Sequence, residues 1–293
     1  MTEAMSATLL SGKEPAAEIR AAVKERFAAL KVTPGLAIVT VGEPPGGNPY
    51  VRAKCRAAEE LGVLARVTRL PESSKAEAVR ATLRGLSGDV SIHGIILQLP
   101  LPGHLSEDRH LEDVAPEKDV DGVHPLNVGR WVQGLPAHRP ATPLGVIELL
   151  RRQCGDLSGK RVVIVGRSRI VGRPLSVFLS QKAPGMNGTV TLCHAATRNL
   201  ESITREAEIL IVAMGRPRAV TARHVAPGAV VVDVGIHAIA NPGPGGPKYE
   251  GDVDFESVRG VASAITPVPG GVGPMTVALL LRNLADAAEA QAR

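Results

Sequence analysis

Several residue types are scarce in this 293-residue sequence, and each scarcity argues against a class of function. Phe, Trp and Tyr make up only 2% of the chain, and the basic residues behind its formal net charge of +5 are scattered rather than clustered. Proteins that bind nucleic acids more often show a basic stripe or stacking aromatics, so we expect no nucleic-acid partner. No run of about 18 or more apolar residues is present, and the N-terminus lacks the pattern of a secretory signal, so we expect neither a membrane span nor export.

Cysteine is equally sparse, since Cys55, Cys154 and Cys193 are far apart and odd in number. They build neither a disulfide framework nor a C-x-x-C metal pair, which is typical of a protein of the reducing cytoplasm. We therefore expect a cytoplasmic protein without a metal ion. Hydrophobic residues make up 44% of the chain, which is enough for two domains with substantial cores.

The most informative stretch runs from Gly159 to Pro174, GKRVVIVGRSRIVGRP. Its β-branched run, 161–165, is typical of a strand buried on both faces of a parallel sheet. A glycine turn and a proline-led helix follow, so backbone N–H groups and the positive end of a helix dipole face the turn. This predicts an anion site, although Arg167 and Arg169 stand at two glycine positions of the usual G-x-G-x-x-G. Taken alone, the motif is equally typical of a tight turn in an α/β domain.

Strand and helix patterns alternate along the chain, which predicts the parallel sheets of an α/β fold. Ser74 with Glu77 forms a capping box and Thr142 an N-cap, whereas the Gly/Pro-rich 43–49 and the polar 117–131 contain few structure formers. We predict two domains, residues 1–141 plus 275–293 and a Rossmann-like domain of residues 142–274. Strands are predicted over 36–41, 64–70, 94–99, 161–165, 189–193, 208–213 and 229–234, and helices over 17–30, 50–61, 75–86, 144–153, 173–181 and 274–289.

The predicted Rossmann-like domain has further features of a dinucleotide site. No carboxylate ends its second strand at 193–198, where NAD-binding folds carry an acid for the ribose. Together with Arg167 and Arg198, this absence favours a site that tolerates the 2′-phosphate of NADP, with NAD the less favoured cofactor. The next two strands run into Gly215 and Gly235, small residues that let a cofactor lie against the backbone. His194 at the strand end is either a ligand or a histidine that caps its own loop.

The other domain carries the candidate chemistry. Tyr50 and Lys54 are spaced i, i+4 and share one helix face, where the lysine can serve as acid or base and the tyrosine can pack on a planar substrate. Taken alone, Lys54 is equally consistent with a solvated helix surface. Gln98 ends an otherwise apolar strand and is predicted to be a site residue, while Asp121 is either a turn cap or an acceptor for the amino edge of a heterocycle. The segment 266–274 is either a linker or a backbone wall beside a flat ligand.

These pieces together resemble the FolD family of bifunctional methylenetetrahydrofolate dehydrogenase/cyclohydrolases. The resemblance runs through nearly the whole chain, and the combination of KDVDG with TPVPGGVGPMT is highly specific for the family. It is carried by PYVRAK (49–54), GIILQLPLP (94–102), KDVDGVHPLNVG (118–129), ATPLGVIELL (141–150), VGRSRIVGRP (165–174), DVG (233–235) and ITPVPGGVGPMT (265–276).

The resemblance implies a homodimer in which each chain has a catalytic and an NADP-binding domain with the active site in the cleft between them. It implies oxidation of 5,10-methylenetetrahydrofolate with NADP⁺, followed by hydrolysis of the methenyl product to 10-formyltetrahydrofolate. Lys54 would be the catalytic lysine, Gln98 would assist it, Tyr50 would line the folate and Asp121 would anchor the pterin. Further folate contacts would come from Leu99, Pro100, Pro267, Gly270 and Gly271. The cofactor would be held by Gly166, Arg167, Ser168, Ile170, Val171, Gly172, His194, Ala195, Thr197, Gly215, Val234, Gly235, Ile236 and Thr276.

Four positions depart from the family pattern. Gly47 stands where many members have a serine near the folate, so one hydroxyl contact is missing. Ala195 stands where many NADP-dependent members have a serine beside the 2′-phosphate, which leaves that contact to nearby arginines. Val123 and Trp131 are interpreted as packing changes.

Two alternative functions stay open at this point. The first is a dehydrogenase that has lost the cyclohydrolase step, against which the retention of Lys54 and Gln98 argues. The second is a nucleotide-binding regulatory module that binds NADP without turnover.

Overall fold

The computed structural model describes residues 6–43, 47–239 and 248–292. The chain divides into two compact units, which confirms the predicted two-domain α/β fold. The three-stranded unit comprises Ala17–Ala141 and Val277–Arg293, and the six-stranded unit comprises Met1–Ala16 and Thr142–Thr276. The predicted N-terminal boundary is wrong, because the first residues belong to the six-stranded unit, where a two-residue strand pairs with its sheet. A strand this short has no periodicity that a sequence pattern can reveal.

Strands and helices alternate along the chain as the sequence predicts. The strands are β1 (Thr8–Leu9), β2 (Gly35–Val41), β3 (Leu64–Leu70), β4 (Gly94–Leu97), β5 (Arg161–Val165), β6 (Thr189–Cys193), β7 (Ile209–Val212), β8 (Val230–Asp233), β9 (His237–Ala238), β10 (Tyr249–Glu250) and β11 (Ala264–Ile265). The helices are α1 (Lys13–Ala29), α2 (Pro49–Glu59), α3 (Ala76–Gly88), α4 (Glu107–Leu111), α5 (Pro125–Val132), α6 (Ala141–Cys154), α7 (Gly172–Ser180), α8 (Leu200–Thr204), α9 (Phe255–Arg259) and α10 (Val272–Gln291). A search of the described residues finds no helix with the length and apolarity to cross a bilayer.

The sheet of the three-stranded unit has the order β3-β2-β4, and its strands are parallel. The central strand β2 is buried along its whole length, as its predominantly apolar sequence predicts. β4 ends at Leu97 rather than at Leu99, so Gln98 lies in the segment that leaves the sheet. The carboxyl ends of β2 and β4 are therefore neighbours, and this is where an α/β sheet presents a ligand.

The C-terminal helix α10 completes the core of the three-stranded unit. Its Leu284 packs beside Gly94 of β4. Asn283 on the same helix donates from Nδ2 to the carbonyl oxygens of Val120 and Arg139, both at 2.8 Å. Other buried apolar residues of this part of the helix are Ala278, Leu279, Leu280, Leu281, Ala285, Ala287 and Ala288.

The six-stranded unit has parallel strands in the order β1-β11-β8-β7-β5-β6. β5 lies between β6 and β7. The connection from β5 leads to β6 on one side of it, and the next connection leads from β6 back across β5 to β7 on its other side. In open parallel sheets, ligands bind outside the carboxyl ends of the strands at such a reversal of strand order. The predicted bounds of β5 and β6 are confirmed.

Two predicted helix caps are wrong. The N-cap of α3 is Lys75, and no side chain caps this helix because Ser74 lies in a preceding turn, where its N–H donates to the Pro71 carbonyl oxygen. Helix α6 begins at Ala141, which moves Thr142 from the predicted N-cap into the first turn.

The polar segment 117–131, in which few structure formers were recognised, contains helix α5. His124 caps this helix, because its Nδ1 accepts a hydrogen bond from the Leu126 N–H at 3.0 Å. Histidine is not among the usual N-cap residues, so the sequence offered no cap signal here. Residues 44–46 of the predicted loop 43–49 lie outside the described residues.

Candidate active site

Helix α2 presents the candidate catalytic residues of the three-stranded unit. The Asn48 side chain caps it by accepting from the Tyr50 N–H at 2.9 Å, and Pro49 occupies the first helical position. Tyr50 is 51% exposed at the start of the helix, whereas Lys54, one turn later, is half-buried. The ammonium group of Lys54 donates to Gln98 Oε1 at 3.4 Å. The structure thus brings together the lysine and the glutamine that the sequence singled out separately.

Gln98 is oriented by two bonds of its own. Its backbone N–H donates to the Val39 carbonyl oxygen at 2.9 Å, which continues the pairing with β2 just past the end of β4. Its side-chain Nε2 donates to the Leu99 carbonyl oxygen, also at 2.9 Å. Because the amide nitrogen is used in this way, the amide oxygen remains as an acceptor for Lys54. This arrangement directs an N–H bond of the lysine and leaves its other N–H positions for a substrate or water.

Asp121 is positioned by a buried neighbour, Asp119. Asp119 pairs with Ile95 of β4 in a parallel bridge, which leads the following residues towards the carboxyl end of that strand. Its Oδ2 accepts from the His124 N–H at 2.8 Å and from Asn127 Nδ2 at 2.9 Å. Burial raises the pKa of Asp119, although these donors oppose the rise. Asp119 therefore caps this turn, whereas the half-buried Asp121 carboxylate, for which the sequence left a turn cap open, makes no hydrogen bond to the described residues.

In the six-stranded unit, the glycine turn after β5 is closely packed. A side chain at Gly166, whose φ is +127°, would collide with the Ala213 carbonyl oxygen, and one at Gly172 would collide with the Gly166 carbonyl oxygen. Ser168 Oγ accepts from the Val171 N–H at 3.2 Å and so caps the turn that precedes α7. The glycines therefore let the backbone bend closely enough to leave space above the end of β5.

That space is a cavity of about 270 Å³ at the carboxyl ends of β5, β6 and β7. Five predicted cofactor residues line it, namely Gly166, Arg167, Ser168, His194 and Ala195. Four lining residues were not predicted, namely Val165, Ala213, Met214 and Arg216. Gly215 was predicted because it follows the carboxyl end of a strand. Only the folded loop decides that its neighbours, rather than Gly215 itself, line the cavity.

The remaining predicted cofactor residues lie elsewhere in the six-stranded unit. Ile170 is 44% exposed to solvent. Thr276 is hydrogen-bonded to another threonine, because its Oγ1 donates to Thr142 Oγ1 at 3.1 Å. Thr197 Oγ1 accepts from the His194 N–H, and His194 Nδ1 accepts from the Ala196 N–H at 3.2 Å. His194 therefore caps its own loop while also lining the cavity. The predicted residues outside the cavity lining are Ile170, Val171, Gly172, Thr197, Gly215, Val234, Gly235, Ile236 and Thr276.

A pair of buried aspartates holds the loop after β7, and sequence reasoning missed one of them. Asp252 is fully buried, and its carboxylate accepts from the backbone N–H groups of residues 214, 215 and 216 at 2.5, 2.9 and 2.8 Å. His237 Nε2 lies 2.7 Å from the same carboxylate. Asp233 accepts from the N–H groups of Gly235, Asp252 and Val253. Burial raises the pKa of Asp233 to about 7, with the Asp252 charge adding to the rise and the N–H donors opposing it.

The proline- and glycine-rich segment proposed to border the folate belongs to the six-stranded unit. It is closed as a turn by the Gly271 N–H, which donates to the Pro267 carbonyl oxygen at 2.8 Å. Gly270 has a φ of +111°, a conformation that favours glycine. The N-terminal segment lies against this turn, because the Gly12 N–H donates to the Gly270 carbonyl oxygen at 2.9 Å. The predicted folate contacts are thus divided between the two units, with Leu99 and Pro100 in the three-stranded one.

Comparison with known proteins shows similarity over the whole chain. Residues 10–121 match the family model of the tetrahydrofolate dehydrogenase/cyclohydrolase catalytic domain, and residues 140–292 match that of its NAD(P)-binding domain. The bifunctional protein FolD of Brevibacillus brevis is 46% identical, with 99% of this chain and all of that protein aligned. FolD of Halalkalibacterium halodurans is 47% identical, with 97% of this chain and all of that protein aligned. The chain belongs to the tetrahydrofolate dehydrogenase/cyclohydrolase family.

Solved structures of this family agree with the fold described above. The bifunctional FolD of Campylobacter jejuni superposes with a TM-score of 0.90 at 42% identity, covering 97% of this chain and 99% of that one. The Trypanosoma brucei FolD, solved with NADP cofactor and inhibitor, superposes with a TM-score of 0.91 at 34% identity, covering 98% of this chain and 99% of that one. The resemblance read from the motifs is therefore confirmed.

The positions that depart from the family pattern have definite places in the structure. Gly47 has a φ of +75°, a backbone conformation that a serine would adopt only with strain. Ala195 lines the cavity at the end of β6. Trp131 is buried and donates from Nε1 to the Gly122 carbonyl oxygen at 3.3 Å, and Val123 packs on the core, as expected of packing changes.

Proposed function

We propose that this protein oxidises 5,10-methylenetetrahydrofolate with NADP⁺ and then hydrolyses the methenyl product to 10-formyltetrahydrofolate. The Lys54–Gln98 pair carries the proposal, because it places a proton carrier with a defined orientation at the ligand-binding end of a parallel sheet. Membership of the family supports both activities. As the resemblance implies, we further propose a cytoplasmic homodimer.

The residues of the six-stranded unit fit a dinucleotide. The crowded glycine turn leaves room for a ligand against the backbone, and the part of the cavity lining that the structure describes has two arginines, Arg167 and Arg216, and no carboxylate. NADP⁺ accepts a hydride when bound, and this step requires alignment of two carbons at roughly 3–3.5 Å rather than a side-chain acid. Gly166, Arg167, Ser168, His194 and Ala195 would hold the adenosine and phosphate parts, which leaves the protein a binding and positioning role in the first reaction.

The second reaction needs a proton carrier. Water adds to the electrophilic methenyl carbon and a C–O bond forms. At the same time the side-chain amine of Lys54 takes a proton from the water. The bond from that carbon to N5 of the folate then breaks, and N5 takes the proton from Lys54. The hydroxyl oxygen on the carbon releases its remaining proton to solvent and becomes the carbonyl oxygen of the formyl group on N10. Gln98 holds Lys54 by accepting one N–H bond, and Asp121 would accept from the amino edge of the pterin.

An assay of the purified full-length chain tests this proposal. NADPH absorbance with 5,10-methylenetetrahydrofolate as substrate reports the dehydrogenase step, and the decay of methenyltetrahydrofolate absorbance reports hydrolysis. We expect both activities and a larger kcat/KM for NADP⁺ than for NAD⁺. Oxidation without hydrolysis would indicate a dehydrogenase alone, NADP binding without turnover would indicate a regulatory module, and an equal or larger kcat/KM for NAD⁺ would reject NADP as the preferred cofactor.

A further inference from the structure

We infer that Arg216 is a specificity-determining residue that binds the 2′-phosphate of NADP together with Arg167. The inference rests on the proposed function in one respect only, namely that the cavity at the ends of β5, β6 and β7 takes the adenosine part of a dinucleotide. It concerns a residue on the loop after β7, outside both the glycine turn and the strand end from which cofactor preference is usually read.

The position of Arg216 is the first argument. Arg216 lines the same cavity as Arg167, on a wall formed by a different strand end, and Ala195 lines the cavity as well. Its side chain is exposed and makes no hydrogen bond or ion pair with the residues that the structure describes. Among the described residues, the cavity lining therefore includes two arginines and no acidic residue, which is the charge pattern that suits a phosphate.

The support of the loop is the second argument. Asp252 accepts three consecutive backbone N–H bonds from the loop, the last from Arg216 itself at 2.8 Å. The Asp252 backbone N–H in turn donates to Asp233 Oδ1 at 3.0 Å, which ties this support to the end of β8. The Cα of Arg216 is thus held at the cavity wall, so that its side chain reaches a ligand without a loop rearrangement.

The chemistry of the end of β6 is the third argument. Ala195 has no hydroxyl group with which to bind a phosphate, so the contact must come from other strand ends. A phosphate monoester carries a charge of about −1.5 to −2 at neutral pH and has three acceptor oxygens, more than one guanidinium can satisfy. Arg198, the other candidate from the sequence, is exposed and does not line the cavity. Arg216 does, and it offers the second planar pair of N–H donors.

Calorimetric titration with two adenosine fragments tests the inference without catalysis. 2′,5′-ADP carries the 2′-phosphate and 5′-AMP lacks it, so their affinities separate the phosphate contact from binding of the adenosine. We expect Arg216→Ala to weaken 2′,5′-ADP binding at least about tenfold and to leave 5′-AMP binding unchanged, since hydrogen bonds to charged groups are worth at least this much. Arg216→Lys should restore part of the loss, because it keeps the charge but not the bidentate geometry.

Arg223→Ala is the matched control. It removes one positive charge from the six-stranded unit, as Arg216→Ala does. Arg223 belongs to an exposed ion pair, in which its Nε lies 3.6 Å from Glu201 Oε2 and the side chains of Arg223 and Glu201 are 71% and 46% exposed. We expect it to leave the affinities for 2′,5′-ADP and 5′-AMP unchanged. If both arginine variants lost the same affinity for 2′,5′-ADP, the loss would come from net charge alone and the inference would be overturned. The selectivity ratio of kcat/KM for NADP⁺ over NAD⁺ should fall in Arg216→Ala only.

The outcomes distinguish this inference from the proposed function. If Arg216→Ala keeps wild-type affinity for 2′,5′-ADP, the inference is overturned whether or not the enzyme is active. If wild-type protein binds 2′,5′-ADP through Arg216 but does not turn over methylenetetrahydrofolate, the inference stands and the proposed function fails. Loss of 5′-AMP binding in Arg216→Ala would show that the residue supports the cavity as a whole, and this too would overturn the assignment to the 2′-phosphate.

Discussion

At the scale of single residues, the candidate site depends on how Lys54 is held. The lysine has three N–H donors on a flexible stem, and an isolated lysine on a helix samples many rotamers. Gln98 reduces this freedom because its own amide nitrogen is bonded to Leu99 and its oxygen accepts from Lys54. The glutamine is thus a positioning residue for the lysine, and the two are best understood as one unit.

We predict that Lys54→Met lowers the cyclohydrolase rate by about 10²–10⁴-fold, the usual contribution of a positioned proton carrier. Methionine keeps most of the length of the side chain and removes the proton-carrying group. The dehydrogenase step, which needs no acid or base, should be affected much less. Decay of methenyltetrahydrofolate and formation of NADPH, measured on the same preparation, provide the two rates.

Arg56→Met is the control for this substitution, because Arg56 is an exposed cation on the same helix α2. It should leave both rates near the wild-type values. Cyclohydrolase activity that survives in Lys54→Met would refute the catalytic assignment. An equal loss of both activities would instead indicate that the lysine serves mainly to bind folate.

At the scale of elements, each unit presents a candidate residue on a loop that a buried aspartate holds, namely Asp121 in the three-stranded unit and Arg216 in the six-stranded one. Asp119 organises the turn that leads to Asp121 and the start of α5, and Asp252 organises the loop after β7. Buried backbone N–H groups require acceptors, and a loop cannot obtain them from a neighbouring strand. A carboxylate that accepts several N–H bonds therefore takes the place of the hydrogen bonds that a neighbouring strand would provide. It makes the loop rigid enough to hold site residues in place.

We predict that Asp119→Ala lowers the free energy of unfolding by about 1–3 kcal/mol, because it leaves the donors of His124 and Asn127 without an acceptor in a buried place. Asp119→Asn keeps one accepting oxygen and should cost less, since burial already disfavours the charge. Chemical denaturation of both variants measures the difference.

The same variants also report on the site. Because the turn positions Asp121, Asp119→Ala should raise KM for the folate substrate while KM for NADP⁺ stays unchanged. If the alanine and asparagine variants were equally stable and bound folate like the wild type, Asp119 would have no role in presenting Asp121.

At the scale of the whole molecule, each unit is assembled from distant parts of the chain. The six-stranded sheet takes β1 from the N-terminus, and the core of the three-stranded unit is closed by α10 from the C-terminus. Helix α10 approaches β4 closely at Gly94, where Leu284 of the helix and Val120, both fully buried, leave no space for a side chain. Gly94 is therefore a glycine of packing rather than of backbone conformation.

We predict that Gly94→Ala destabilises the protein by about 1–3 kcal/mol, the usual cost of overpacking a core. A Cβ at this position would lie 2.7 Å from Leu284 Cδ1 and 2.7 Å from Val120 Cγ1. Gly85→Ala on the exposed side of α3 is the control, since a Cβ there would have no described atom within 4 Å apart from its chain neighbours and the backbone of its own helix. It should raise stability by about 0.5–1 kcal/mol through helix propensity. Equal effects of the two substitutions in urea unfolding would show that α10 does not pack tightly at Gly94.

Local sequence patterns predicted strands both at the centre and at the edges of the sheets. The strands 64–70, 161–165 and 189–193 have the predicted bounds. The predicted helices correspond to α1, α2, α3, α6, α7 and α10, and their bounds were located to within a few residues. Helix α5 was missed because its cap is a histidine and the helix is only eight residues long. Motifs also identified five residues of the cavity lining, since the glycine turn and the end of β6 are recognisable from their order along the chain.

The sequence by itself determined the alternation of strands and helices, the glycine turn, and the choice of Lys54 and Gln98 as separate candidate residues, because each depends on a local pattern or a short motif. Only the tertiary structure decided that Asp252 holds a loop 36–38 residues earlier, that Arg216 faces the cavity, and that β1 joins the second sheet. These features depend on contacts between residues far apart in the chain. No periodicity or propensity encodes such a contact, since it exists only once the strands have been ordered in the sheet.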